Sequence, residues 1–149
     1  MVSVMMTYEP ADAFNLLIGK CEGLDEDTLF ILESAALVHD IGIRASEKKY
    51  GHQNGKLQEQ EGPAVAREML TRLGGFTDRQ IERICWLVGH HHTYHICEDL
   101  DYQILIEADF LVNLFEDEES PNAIRAVRKN IFRTESGTRM LETMYGING

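Results

Sequence analysis

The sequence predicts an all-α chain folded as a single-domain helical bundle, and three observations predict it. Apolar residues recur at three- and four-residue spacing through most of the 149 residues. Helix-starting signals precede those runs at Asp25, at the Thr77-x-x-Gln80 capping box and at Ser120-Pro121. No segment shows the period of two of a half-buried strand, and no internal repeat or linker divides the chain, so residues 1–149 are expected to form one domain.

The elements follow in order. Asp25 is placed to cap a helix running to about Asp40, with Leu29, Leu32, Ala35 and Ala36 at helical spacing. Residues 41–58 change character: Gly42, Gly51, Gly55 and three lysines with little apolar content predict a long loop. A helix is expected again from Glu59 to Leu73, stopped by Gly74-Gly75. The next carries Ile81, Ile84, Cys85 and Leu87-Val88 and ends at Gly89-His90-His91-His92. Asp101 is expected to cap a strongly apolar segment from Tyr102 to Phe115, buried all round. Ser120-Pro121 opens a helix to about Phe132, and Thr138 to Tyr145 closes the chain.

Composition excludes several function classes. No stretch approaches the ~20 apolar residues of a membrane span, and the N-terminus lacks the pattern of a secretory signal. Cys21, Cys85 and Cys97 are odd in number and lack C-x-x-C spacing, which argues against a disulfide scaffold or cysteine zinc site and for a cytoplasmic location. With 25 acidic against 14 basic residues and a net charge of −11, the surface repels a nucleic-acid polymer. A small anion is not excluded, because a bound metal inverts the local field.

Three features carry chemistry. In Ala35-Ala36-Leu37-Val38-His39-Asp40-Ile41-Gly42, an imidazole and a carboxylate stand side by side where an apolar helix runs out. Burying such groups without partners costs several kcal/mol, roughly, and a divalent cation satisfies both. Asp109 lies in the most apolar helix, between Ile106 and Phe110, with no Lys or Arg on neighbouring turns. Four of the six histidines fall in Gly89-His90-His91-His92-Thr93-Tyr94-His95. Adjacent residues diverge by ~100° on a helix, so the first three reach one ion only if the helix breaks there. Mixed nitrogen and oxygen ligands suit Mn, Fe, Co, Ni or Zn, as one ion or two.

His39, Asp40 and Asp109 in that order resemble the core of the HD superfamily of metal-dependent phosphohydrolases. The Ala-Ala-Leu-Val-His-Asp-Ile-Gly run, the Glu61-Gly62-Pro63 helix start, the Gly-His-His-His-Thr-Tyr turn and Glu107-Ala108-Asp109-Phe110 look like small stand-alone bacterial members, over about residues 13–145. The resemblance implies metal ligation by His39, Asp40 and Asp109, with His90 and His91 matching extra ligands of two-metal members and Glu61 a further carboxylate. It also implies hydrolysis of a phosphoester in a small molecule, most simply a nucleotide. In that chemistry Asp40 would take a proton from water, His90, His91 or His92 would protonate the leaving oxygen, and Lys48, Lys49 or Lys56 would neutralise phosphate charge.

One departure stands out. The family places a further His about 30 residues before the pair, and no His precedes His39. By spacing that ligand falls near Thr7, where Glu9-Pro10 interrupts a helix, so the N-terminal helix is expected to be shortened. Two other readings therefore stay open: an impaired module that binds a nucleotide, metal or protein partner, and an interaction protein in which His39 and Asp40 only cap a helix. A shortened helix leaves apolar surface that a homodimer would cover.

Overall fold

The computed structural model describes residues 10–147, which form helices joined by short connections, with no strand among them. The helices are α1 (Pro10–Cys21), α2 (Glu26–Val38), α3 (Gly42–Tyr50), α4 (Gly55–Leu73), α5 (Asp78–His90), α6 (Leu100–Glu116), α7 (Pro121–Asn130) and α8 (Glu135–Tyr145). Thr7 lies outside the described residues. The expected all-α bundle is what forms. Helix α2 packs between α1, α5 and α6, and α4 lies between α3 and α5. Ile18, Leu32, Ala35, Ile84, Leu87 and Ile104 meet in a core closed to solvent. No helix of the described residues is long and apolar enough to cross a membrane.

The caps explain most helix starts. Asp25 accepts from Thr28 N at 2.7 Å, Thr77 and Gln80 form the reciprocal capping box, and Ser120 accepts from Ala123 N at 3.2 Å. Each satisfies amide donors that a helix start leaves unpaired.

Residues 41–58 correct the expectation of a long loop. Helix α3 occupies half of them, and only residues 51–54 connect it to α4. Within α3 only Gly42 and Ser46 are buried, so the helix shows almost no apolar stripe to a reader of the sequence. Its Glu and Lys residues are nevertheless good helix formers. Asn54, accepting from Leu57 N at 2.9 Å, starts α4 earlier than Glu59, and Glu61-Gly62-Pro63 lies inside the helix instead of opening it. Asp101 is likewise not a cap. Asp99 holds that position, and the Asp101 carboxylate takes Arg83 Nε at 2.8 Å and a terminal guanidinium nitrogen at 2.7 Å. Helix α8 starts at Glu135, not Thr138, because Thr134 caps it by accepting from Gly137 N at 2.9 Å.

Two glycines set the path of the chain beyond His39-Asp40. A Cβ on Gly42 would lie 2.6 Å from Gln58 O and 2.9 Å from Gly62 N, so α3 and α4 cross backbone to backbone. A Cβ on Gly62 would in turn lie 2.7 Å from the Val88 side chain. This three-way approach holds the start of α3 against α4 and α4 against α5.

Glu107 ties the C-terminal helices to α6. Its carboxylate is fully buried and accepts from Gln103 Nε2 at 2.7 Å, Arg133 N at 2.9 Å, Thr134 N at 3.0 Å and Thr134 Oγ1 at 2.6 Å. A Cβ on Gly137 would collide with Glu107 Oε1. Gly to Ala inside a helix ordinarily stabilises by about 1 kcal/mol. Here the sign should reverse: Gly137→Ala is expected to destabilise by about 2 kcal/mol or more, because it displaces a saturated buried carboxylate. Urea denaturation of the variant beside wild type checks this.

Candidate metal centre

Two histidines are held by the same device at two helix ends. The carbonyls of a last helical turn have no amide partner within the helix. His39, just past α2, offers its Nδ1 to Ala36 O at 2.6 Å, and His91, just past α5, offers its Nδ1 to Val88 O at 2.7 Å. Both bonds require Nδ1 to carry the proton, which leaves Nε2 as the lone-pair nitrogen of each neutral ring. Such a backbone bond fixes the tautomer and orientation of a metal-ligating imidazole.

The two rings meet edge to face with centroids 5.3 Å apart, and both histidines are buried. Helix α6 brings Asp109 to them across 70 residues of chain. Asp109 Oδ1 lies 3.3 Å from His39 Nε2, and Asp40 Oδ1 lies 3.2 Å from the same nitrogen. Two ligands each about 2.1 Å from one ion stand roughly 3.0–3.4 Å apart, so these separations match a shared cation. The contacts radiate from His39, however. Among the described residues, no three His, Cys, Asp or Glu side chains already form a cage around one point.

The electrostatics favour positive charge between these groups. Burial pulls the His39 imidazole down, but Asp109 and Asp40 beside it outweigh burial and raise its pKa from 6.5 to about 9. Burial pushes Asp109 up, and the hydrogen bond and charge of His39 bring it below the usual carboxylate range. Without a metal, His39 must carry a second proton to sit between two carboxylates. His91 goes the other way: burial, then His92 and His39, lower it to about 3. His91 is thus neutral, and among the described residues its buried Nε2 has no hydrogen-bond partner. A lone pair buried without a donor is costly, and a cation is the partner that fits it. Two imidazole nitrogens and two carboxylates make the mixed donor set of a divalent transition metal.

The other expected residues are placed differently. His90 turns away: its ring stacks on Trp86 at 4.3 Å and its Nδ1 bonds Trp86 O at 2.7 Å. The ~100° step between helical neighbours separates it from His91. Glu61 is engaged elsewhere, accepting from Tyr50 O–H at 3.0 Å and pairing with Lys49 at 3.5 Å. Lys48 is exposed on α3. His91 lies in the centre with its Nε2 buried, and burial, His92 and His39 hold its imidazole toward the neutral form.

Glu59, two residues before Glu61 and so on the other side of α4, takes a role the sequence did not single out. It accepts from His92 N at 2.9 Å, from Thr93 Oγ1 at 2.8 Å and from Lys56 at 3.2 Å. His92 Nε2 meets Gln58 Oε1 at 2.8 Å. These bonds hold the turn that ends α5 and aims His91 inward. Their signal was present in the sequence only as buried polar residues one helical turn after Asn54.

A family model described as HD domain matches residues 11–135. No curated protein and no solved structure matches the chain.

Elemental analysis of protein purified with Mn or Ni should find metal in wild type, His90→Ala and Glu61→Gln, and a loss of at least tenfold in His91→Ala and Asp109→Ala. A second outcome follows from the His39 proton. A pKa raised from 6.5 to about 9 on folding stabilises fully below pH 6.5, and that stability is lost as pH rises through 9. The melting temperature of chelator-treated protein should therefore fall between those values, and less steeply in His39→Asn.

Proposed function

The chain belongs to the HD domain family, a family of metal-dependent phosphohydrolases, and from that premise we propose that it hydrolyses a phosphoester in a small molecule, with a nucleotide as the substrate class. One observation carries the reading: the Nε2 of His91, unpartnered among the described residues and buried beside His39, which in turn contacts Asp109. A helix end built only for stability would have given that nitrogen a donor.

The residues divide the work. His39 and His91 would hold an ion through nitrogens whose second ring position is already committed to a backbone carbonyl. Asp109, with its side chain 15% exposed, keeps a fixed negative charge inside the site. Asp40, with its side chain 50% exposed, reaches solvent and can take a proton from attacking water. His92, half-buried beside His91 with its Nε2 on Gln58 Oε1, would be the imidazole to protonate a leaving oxygen, through its other nitrogen. A bound divalent ion would supply positive charge to a phosphate oxygen and acidify water.

The absent histidine before His39 favours one competing reading, a module that binds a phosphorylated ligand without turning it over. The two differ in one assay. With Mn or Ni added, wild type should release inorganic phosphate from a panel of nucleotides and sugar phosphates. Chelator should abolish the release, and Asp109→Asn should lower it at least 100-fold with helicity retained. A ligand-induced rise in melting temperature with no phosphate released from any ester would establish the module instead.

A further inference from the structure

We propose that the groove between α3 and α4 receives the substrate, with Arg44 holding its phosphate beside Asp40; the inference rests on the hydrolase reading above and specifies a phosphomonoester with an uncharged, partly apolar body. The groove encloses about 640 Å³, and its lining includes Asp40, Arg44, Ile43, Val65, Met69 and Glu47. It opens directly onto a residue of the candidate metal centre. A groove of similar size, about 650 Å³, lies beside Arg83 and Trp86 but is lined by none of His39, Asp40, His91 or Asp109. Its Arg83 guanidinium is already committed to Asp101 and Asp99.

Arg44 differs from the lysines near it. Lys49 pairs with Glu61, and Lys56 pairs with Glu59 while donating to Thr93. Lys48 lies one turn further along α3 and does not line the groove. Arg44 is exposed and makes no hydrogen bond or ion pair with any described residue, so its planar fork is available to a phosphate. Away from the charged end, Ile43, Val65 and Met69 give the groove an apolar floor, with Met69 40% exposed. Glu47 also lines it, so a second or third phosphate would meet a carboxylate. That selects one phosphate at the Asp40 end and a neutral body along the floor, as in a nucleoside monophosphate.

Isothermal titration of the Mn-loaded protein with inorganic phosphate, adenosine monophosphate and adenosine triphosphate tests this. Arg44→Ala should weaken both phosphate and the monophosphate by about 10- to 100-fold, with metal content unchanged. Arg44→Lys should recover part of the loss, and Lys129→Ala, the same charge change on α7, should do nothing. Met69→Glu and Val65→Gln, each checked for native helicity, should weaken the monophosphate and leave phosphate alone. The triphosphate should bind less tightly than the monophosphate. Wild-type phosphate affinity in Arg44→Ala, or no phosphate binding by wild type, would overturn the proposal, as would floor variants that bind the monophosphate normally. Binding as expected with no phosphate release would sink the hydrolase reading and keep the groove. Hydrolysis with an unchanged KM in Arg44→Ala would do the reverse.

Discussion

One nitrogen organises this molecule. His39 Nε2 faces the carboxylates of Asp40 and Asp109, while Nδ1 of the same ring is already given to Ala36 O. A neutral imidazole held that way turns a lone pair toward two anions, which is repulsive. The arrangement persists only with positive charge between them, either a second proton or a metal ion. Both answers use the same position, so protonation and metal binding are competing states of one site. Helix α2 must end at His39 and α6 must hold Asp109 in register for the three groups to meet at all.

The buried polar groups elsewhere make the centre stand out. Glu107 has four hydrogen-bond donors, Asp101 has a two-pronged arginine, and Glu59 has a backbone amide, a hydroxyl and a lysine. Each is a saturated structural clamp of the kind that specifies one packing. His91 is buried more deeply than Asp101 or Glu59, yet among the described residues its Nε2 has no partner. The fold satisfies these three carboxylates, whereas among the described residues it leaves open a nitrogen whose ring lies against that of His39. That contrast, more than the presence of histidines, distinguishes a binding site from a helix cap.

Much of this was legible in the sequence, and the unread part has physical causes. Asp25, Thr77 and Ser120 announced their helices because capping chemistry is local. His39, Asp40 and Asp109 were legible because each is a polar residue in an apolar setting. Helix α3 was not, since it buries little more than Gly42 and Ser46 and so has no apolar stripe. The close crossing of Gly42 and Gly62 was hidden for a related reason: a glycine that permits backbone approach looks in sequence like one that makes a turn. His90 and His91 could not be told apart, because their difference is a rotation about the helix axis that depends on where α5 ends. The sequence gives no angular reference for Glu59 and Glu61 either, and the two face different neighbours.

The acidity of the chain then limits how such a centre can recognise phosphate. A net charge of −11 repels anions at long range, but that field fades over about 8 Å at physiological salt. Attraction would therefore come from short-range contacts at the site: from an ion, were one held by His39, His91 and the two aspartates, and from the guanidinium of Arg44, which pairs with no described residue. A nucleic-acid polymer spreads its charge over many Debye lengths and meets the repulsive surface everywhere. A monoester would present its whole charge within a few ångströms of such a site. On that reading the acidic surface that disfavours the polymer would leave a small phosphate accessible, and Glu47, lining the groove that opens onto Asp40, would extend the discrimination to the count of phosphates.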